Sequence, residues 1–250
     1  MSTIDERRAN ASAGVRDESF ETNGYVPRVV LQPIAAPSVL GLLGFGAATF
    51  VVAANLAGWY GDPKTPLVLA PFAAMFGGLA QFLAGMWAYR ARDAIATLAH
   101  GTWGSFWLAY LLLNVLVGTH VVAQPTPWYH NPEVGFWFFA LAITTGIAAV
   151  AALAESLGLV AVLSTLAAGS GILAGAFIYG SHGWVQAAGW VLVFSAGLAW
   201  YIVAAMVLEA AAGRTILPTL KYEREANLPG GRPTQPIELP WAEPGVKMGQ

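Results

Sequence analysis

Residues 100–107 read HGTWGSFW, which places a histidine, two hydroxyls and three large aromatic rings inside an otherwise greasy stretch. Chemistry in an apolar chain must come from its few polar groups. The acids Asp93, Glu155 and Glu209 all fall at the ends of apolar stretches, and His100 lies about one turn inside the third. An imidazole there can titrate near neutral pH; it can equally pack as a neutral ring at a helix start. No acid occupies the middle of any stretch, where an ion-coupled carrier usually shows one. With no central His/Asp/Glu cluster, acid–base or metal catalysis has no residues to run on, and neither an enzyme activity, a catalytic residue, a metal nor a cofactor is expected. Cysteine is absent, which removes disulfides, thiolate sites and Cys nucleophiles. His120, His130 and His182 match no zinc or haem spacing, and the glycines follow no strand that would make a dinucleotide fingerprint. No nucleic-acid partner is expected.

The remaining polar groups within the stretches are Thr49, Asn55, Gln81, Thr102, Ser105, Asn114, Thr144, Thr145, Ser164, Thr165 and Ser195. In a bilayer such groups face other helices or water. Gln81, in the middle of the second stretch, and Ser105, early in the third, are each either interhelical hydrogen-bonding residues or part of a substrate path.

The elements that must position them follow from composition. The chain has 250 residues, 56% hydrophobic and only 10% charged, against about 25% charged in soluble domains. Six stretches of about 20 apolar residues predict transmembrane helices near 38–59, 67–89, 95–118, 134–154, 157–179 and 185–210, separated by turn chemistry such as GDPKTP and YGSHGW. The fold class expected is an all-α six-helix membrane bundle. Three regions result: a polar N-terminal tail, 1–33; the membrane domain, 34–217; and a Pro-rich C-terminal tail, 218–250. Both tails read as disordered or loosely docked, and no cleavable signal peptide is visible.

Eleven of the twelve Lys and Arg residues fall on one side of this topology, and only Lys64 lies opposite. The positive-inside rule then predicts cytoplasmic termini. Trp59, Tyr60, Trp128, Tyr129 and Trp184 fit an aromatic belt at the other side. The spans are also rich in glycine, which allows close helix packing where lipid supplies no hydrophobic drive or leaves room for a narrow lumen.

Four runs carry a resemblance: APSVLGLLGFG (36–46), FGGLAQFLAGMWAYRARD (76–93), HGTWGSFWLAY (100–110) and EAAAGRTILP (209–218). Together they resemble the acetate uptake transporter family, the bacterial succinate–acetate permeases and their yeast relatives linked to acetate and ammonia export. The resemblance spans about 36–218. It implies six spans with both ends inside, a homohexamer with one pore per protomer, and a hydrophobic constriction halfway along each pore. Matched onto this sequence, the constriction is Phe45, Trp103 where the family commonly has Tyr, and Leu166. The pathway would also take in Pro37, Gly41, Gly44, Thr49, Gln81, Gly104 and Ser105. Two departures bear on substrate access: the family's Asn-Pro-Ala-Pro reads Ala36-Pro37-Ser38-Val39, and its acid near the end of span two is Ala88.

On this reading Gly101 and Gly104 let span three pack closely and keep the lumen open, Trp103 projects into it, and Phe106 and Trp107 pack outward or between protomers. Trp in place of Tyr adds bulk and predicts a tighter passage. The implied function is a channel or transporter for acetate and related short carboxylates, succinate among them, in the cytoplasmic (inner) membrane. The competing reading is a non-transporting membrane subunit whose tails dock partners; convergence of Phe45, Trp103, Gln81 and Leu166 on one lumen would separate the two.

Overall fold

A computed structural model describes residues 34–221. The expected disorder of 1–33 and of the C-terminal tail beyond 221 lies outside the described residues.

Among the described residues, six helices are long and apolar enough to span a bilayer. They are α1 (Pro37–Leu56), α2 (Thr65–Ala91), α3 (Ala94–Gly118), α4 (Pro132–Ala152), α5 (Leu157–Tyr179) and α6 (His182–Ala212). The chain is a multi-pass membrane protein. The boundaries move by one to three residues from those read off hydropathy, because caps rather than apolar content set helix ends. Proline stands in the first turn of α1, α2 and α4, where its missing N–H is no loss. Asp93, Asn131, Ser156 and Ser181 each accept a hydrogen bond from a backbone N–H three residues on, opening α3, α4, α5 and α6. Gly180 and Gly213 close α5 and α6 in the left-handed conformation.

Each helix packs on the next in sequence, and α6 returns to pack on α1, so the six close into a ring. The α3–α4 seam is the thinnest of these contacts, and α1 and α3 also touch across the ring. Because turns join antiparallel neighbours, α1, α3 and α5 run in the same direction. All three begin at the end that carries Arg90, Arg92 and Arg214, called here the basic end.

Helix α2 is not uniform. Residues Ala74–Ala80 (AMFGGLA) form a π-helical segment three residues after an internal Pro71. Proline removes one ladder hydrogen bond, and the local widening that follows re-registers the lower half of the helix. A methyl on Gly44 of α1 would run into the Phe76 carbonyl of this segment.

One expectation changes. Phe106 and Trp107 do not face outward from the protomer; they are only 8% and 3% exposed and sit in the main core. Their rings form an edge-to-face chain with Trp103, Tyr110 and Phe138, the geometry aromatic quadrupoles prefer. The start of the C-terminal tail takes the docked alternative over residues 218–221. Tyr201 Oη donates to the Pro218 carbonyl (2.9 Å), Ser156 Oγ to Thr219 O (3.1 Å) and the Leu157 N–H to Leu220 O (3.1 Å). Residues 218–221 therefore strap across the start of α5.

Candidate functional site

Phe45 stands eight residues into α1, Trp103 nine into α3 and Leu166 nine into α5. At 1.5 Å per residue these positions lie about 12–14 Å from the basic end, near the middle of a core about 30 Å thick. Three helices running the same way thus present one large apolar side chain each at one depth. All three side chains are buried, at 2%, 4% and 2% exposure, and belong to one contiguous cluster. The Phe45 and Trp103 rings meet edge to face, with centroids 6.5 Å apart.

Trp103 has a polar anchor that sequence reading did not assign. Its Nε1–H donates to Thr145 Oγ1 of α4 at 3.0 Å, across the thin α3–α4 seam. Thr145 is itself 3% exposed. A buried indole N–H usually finds a partner, and the Thr144-Thr145 pair in α4 was the signal in the sequence for one. The bond ties the indole to α4 across that seam and fixes its orientation against Phe45.

Polar groups lie on both sides of this level. One turn outward on the same helices are Thr49 of α1 and Trp107 of α3, and Thr49 Oγ1 and Trp107 Nε1 have no hydrogen-bond partner among the described residues. Toward the basic end, Gln81 and His100 are 2% and 4% exposed. Gln81 Nε2 lies 3.5 Å from His100 Nδ1, while Gln81 Oε1 has no partner. Gly41 faces the imidazole: a Cβ there would stand 2.5 Å from His100 Cε1 and Nε2. An unmade buried polar group costs about 1–3 kcal/mol. Three such atoms bracketing an apolar ring suit a bundle that accommodates polar cargo at those depths.

The other sequence candidates fall differently. Gly44 makes room for the π segment of α2, and Gly104 for the backbone of Phe82, where a Cβ would approach within 2.7 Å. Pro37 begins α1 and lines a surface groove with Leu40, Ala84 and Trp87. Ser105 is exposed on the outside of α3, its hydroxyl donating to Gly101 O at 2.8 Å. Ala88 is fully buried.

A family model described as the GPR1/FUN34/yaaH family matches residues 19–222. The chain belongs to the GPR1/FUN34/yaaH family. An uncharacterized protein of Methanothermobacter thermautotrophicus is 30% identical over 76% of this chain and 94% of its own length. The Escherichia coli K12 protein named succinate-acetate/proton symporter SatP is 27% identical over 74% of this chain and 95% of its own. A solved structure described as the bacterial acetate channel SatP superposes with a TM-score of 0.68 at 25% identity, covering 74% of this chain and 99% of that one. The shared family therefore spans the whole helix ring. At the charged, basic end this chain carries groups outside the spans that sense one another. Partial burial raises the Glu155 carboxyl above its ordinary range, Asp93 raises it further, and Lys221 opposes. Burial lowers the Lys221 ammonium, against the pull of Glu155, Asp93 and Glu209.

Proposed function

We propose that this chain conducts acetate and related short carboxylates through its own helix ring, with Phe45, Trp103 and Leu166 as the constriction and no chemical conversion of the cargo. The observation that carries it is the coincidence of depth: three parallel helices place three large apolar side chains at one level, in a chain whose relatives include a succinate-acetate/proton symporter and an acetate channel. A dry ring of this kind gates by excluding water. Gly41, Gly44, Thr49 and Gln81 border the path above and below the ring, Pro37 stands at its mouth, and Gly104 and Ser105 support α3 from outside it. The charge bias supports termini on the cytoplasmic side of the inner membrane. The family resemblance supports a homo-oligomer, taken as a hexamer; the exposed apolar side chains of α2, among them Phe72, Met75, Phe76 and Trp87, suit contact with lipid or with another protomer.

The test is protein-dependent uptake of radiolabelled acetate into proteoliposomes, with Phe45→Ala and Trp103→Ala beside the unaltered chain. Saturable uptake above empty liposomes, raised in both variants, is expected. Absence of uptake for acetate, propionate and succinate, or variants indistinguishable from the parent, refutes the pore.

A further inference from the structure

The geometry points to His100 and Gln81 as a recognition pair for the protonated, neutral form of the carboxylic acid; this rests on the transport function above. With the Gln81 amide nitrogen donating to Nδ1 over 3.5 Å, the imidazole carries its proton on Nε2. That nitrogen has no hydrogen-bond partner among the described residues, and neither has Gln81 Oε1. Both side chains sit against the glycine edge of α1: His100 against Gly41, and Gln81 Cβ within reach of Gly44. The imidazole thus fills the room a side chain at Gly41 would take, and the pair keeps one donor and one acceptor unused beside α1.

A neutral carboxylic acid has the matching edge. Its carbonyl accepts from His100 Nε2–H, and its O–H donates to Gln81 Oε1. A carboxylate has acceptors only, and would leave Gln81 Oε1 facing a lone pair. The position reinforces the choice. His100 is one turn nearer the basic end than Trp103, so cargo from that side meets the pair just before the apolar ring, where an unpaired charge is far costlier than a neutral acid. The proton then crosses on the substrate, as its O–H.

No charged group competes for the imidazole. Helix α3 packs against α1, α2 and α4. Helix α1 has no ionisable residue, α2 has only Tyr89 and Arg90 at its exposed basic end, and α4 has only Glu133 at its opposite end. On α3 itself, Asp93 caps the helix seven residues earlier and Tyr110 lies ten residues later.

Acetamide tests the pair, because it presents the same carbonyl and donor edge and does not ionise. In proteoliposomes of the full chain, acetamide should inhibit radiolabelled acetate uptake equally between about pH 5.5 and 7.5. Half-saturating total acetate should climb by up to about tenfold per pH unit as the acid fraction falls. His100→Phe keeps a ring and loses the donor; it should raise both the acetate half-saturation and the acetamide inhibition constant about tenfold, with the maximal rate held within about twofold. His100→Gln, which retains a donor, should recover most of the loss. Should His100→Phe fail to assemble, Gln81→Met removes the acceptor and must weaken both ligands alike. Failure of acetamide to compete, or variants that leave both constants unchanged while the parent transports acetate, overturns the pair. No uptake by the parent sinks the transport reading instead.

Discussion

Thr145→Val removes a single oxygen from the α3–α4 seam and leaves a side chain of nearly the same shape. What it takes away is the acceptor for Trp103 Nε1–H, at 3.0 Å in a site where Thr145 is 3% and Trp103 4% exposed. Water cannot replace it there. Leaving a buried donor unmade costs about 1–3 kcal/mol. Interhelical hydrogen bonds inside membranes couple by less, about 0.6 kcal/mol on average and about 1.7 at most, because the unfolded chain in a membrane also finds partners. The lower figures set the expectation for the pairwise term. Reversible unfolding in mixed micelles of the parent, Thr145→Val, Trp103→Phe and the double variant closes a cycle that isolates this bond from the bulk of the indole. A coupling of about 0.6–1.7 kcal/mol is expected, with Thr145→Val alone less stable than the parent. Acetate flux through Thr145→Val should also change, since the freed indole no longer holds one orientation over Phe45. A coupling indistinguishable from zero together with unaltered flux refutes the anchoring of the ring through this seam.

Two further outcomes are expected. Gly44→Ala drives a methyl into the Phe76 carbonyl, whereas Gly197→Ala meets nothing within 4 Å; the first should lower the melting temperature of the purified protein and the second leave it level or raise it, helix propensity favouring Ala by up to about 1 kcal/mol. Equal melting temperatures would refute the close approach of α1 and the π segment. Glu155 carries a carboxyl raised by partial burial and by Asp93, so the stability it contributes is present below its unfolded value and is lost as pH rises through its folded one. Glu155→Gln should therefore flatten the fall in melting temperature on the alkaline side of the carboxylate range, and an unaltered slope refutes that linkage.

Hydropathy alone locates all six helices, since 20 apolar residues in a row have few other uses. The family motifs add Phe45, Trp103 and Leu166, and helix arithmetic puts these at one depth. What hydropathy carries no information on is direction around a helix. Phe106 and Trp107 are as apolar as any lipid-facing ring, and only the neighbouring helices decide that they point inward. The same blindness hid the partners of polar residues: Thr145 and His100 were visible as residues, but their bonds to Trp103 and Gln81 join helices distant in sequence. The docking of residues 218–221 was illegible for another reason. It uses backbone carbonyls, which every sequence has, against the Ser156 hydroxyl and the Leu157 N–H. The π segment had a trace, Pro71 followed by the pair Gly77-Gly78, yet proline and glycine in a membrane helix are common enough to pass unremarked.

The π segment can be regarded as surplus length inside α2. Were these seven residues to revert to ordinary α-helix at unchanged length, everything below would turn by about 100° relative to everything above. Gln81 would leave the interior, and a different neighbour would take its place beside His100. The winding of this short segment thus decides which residue of α2 stands beside His100, without any change at either end of the helix.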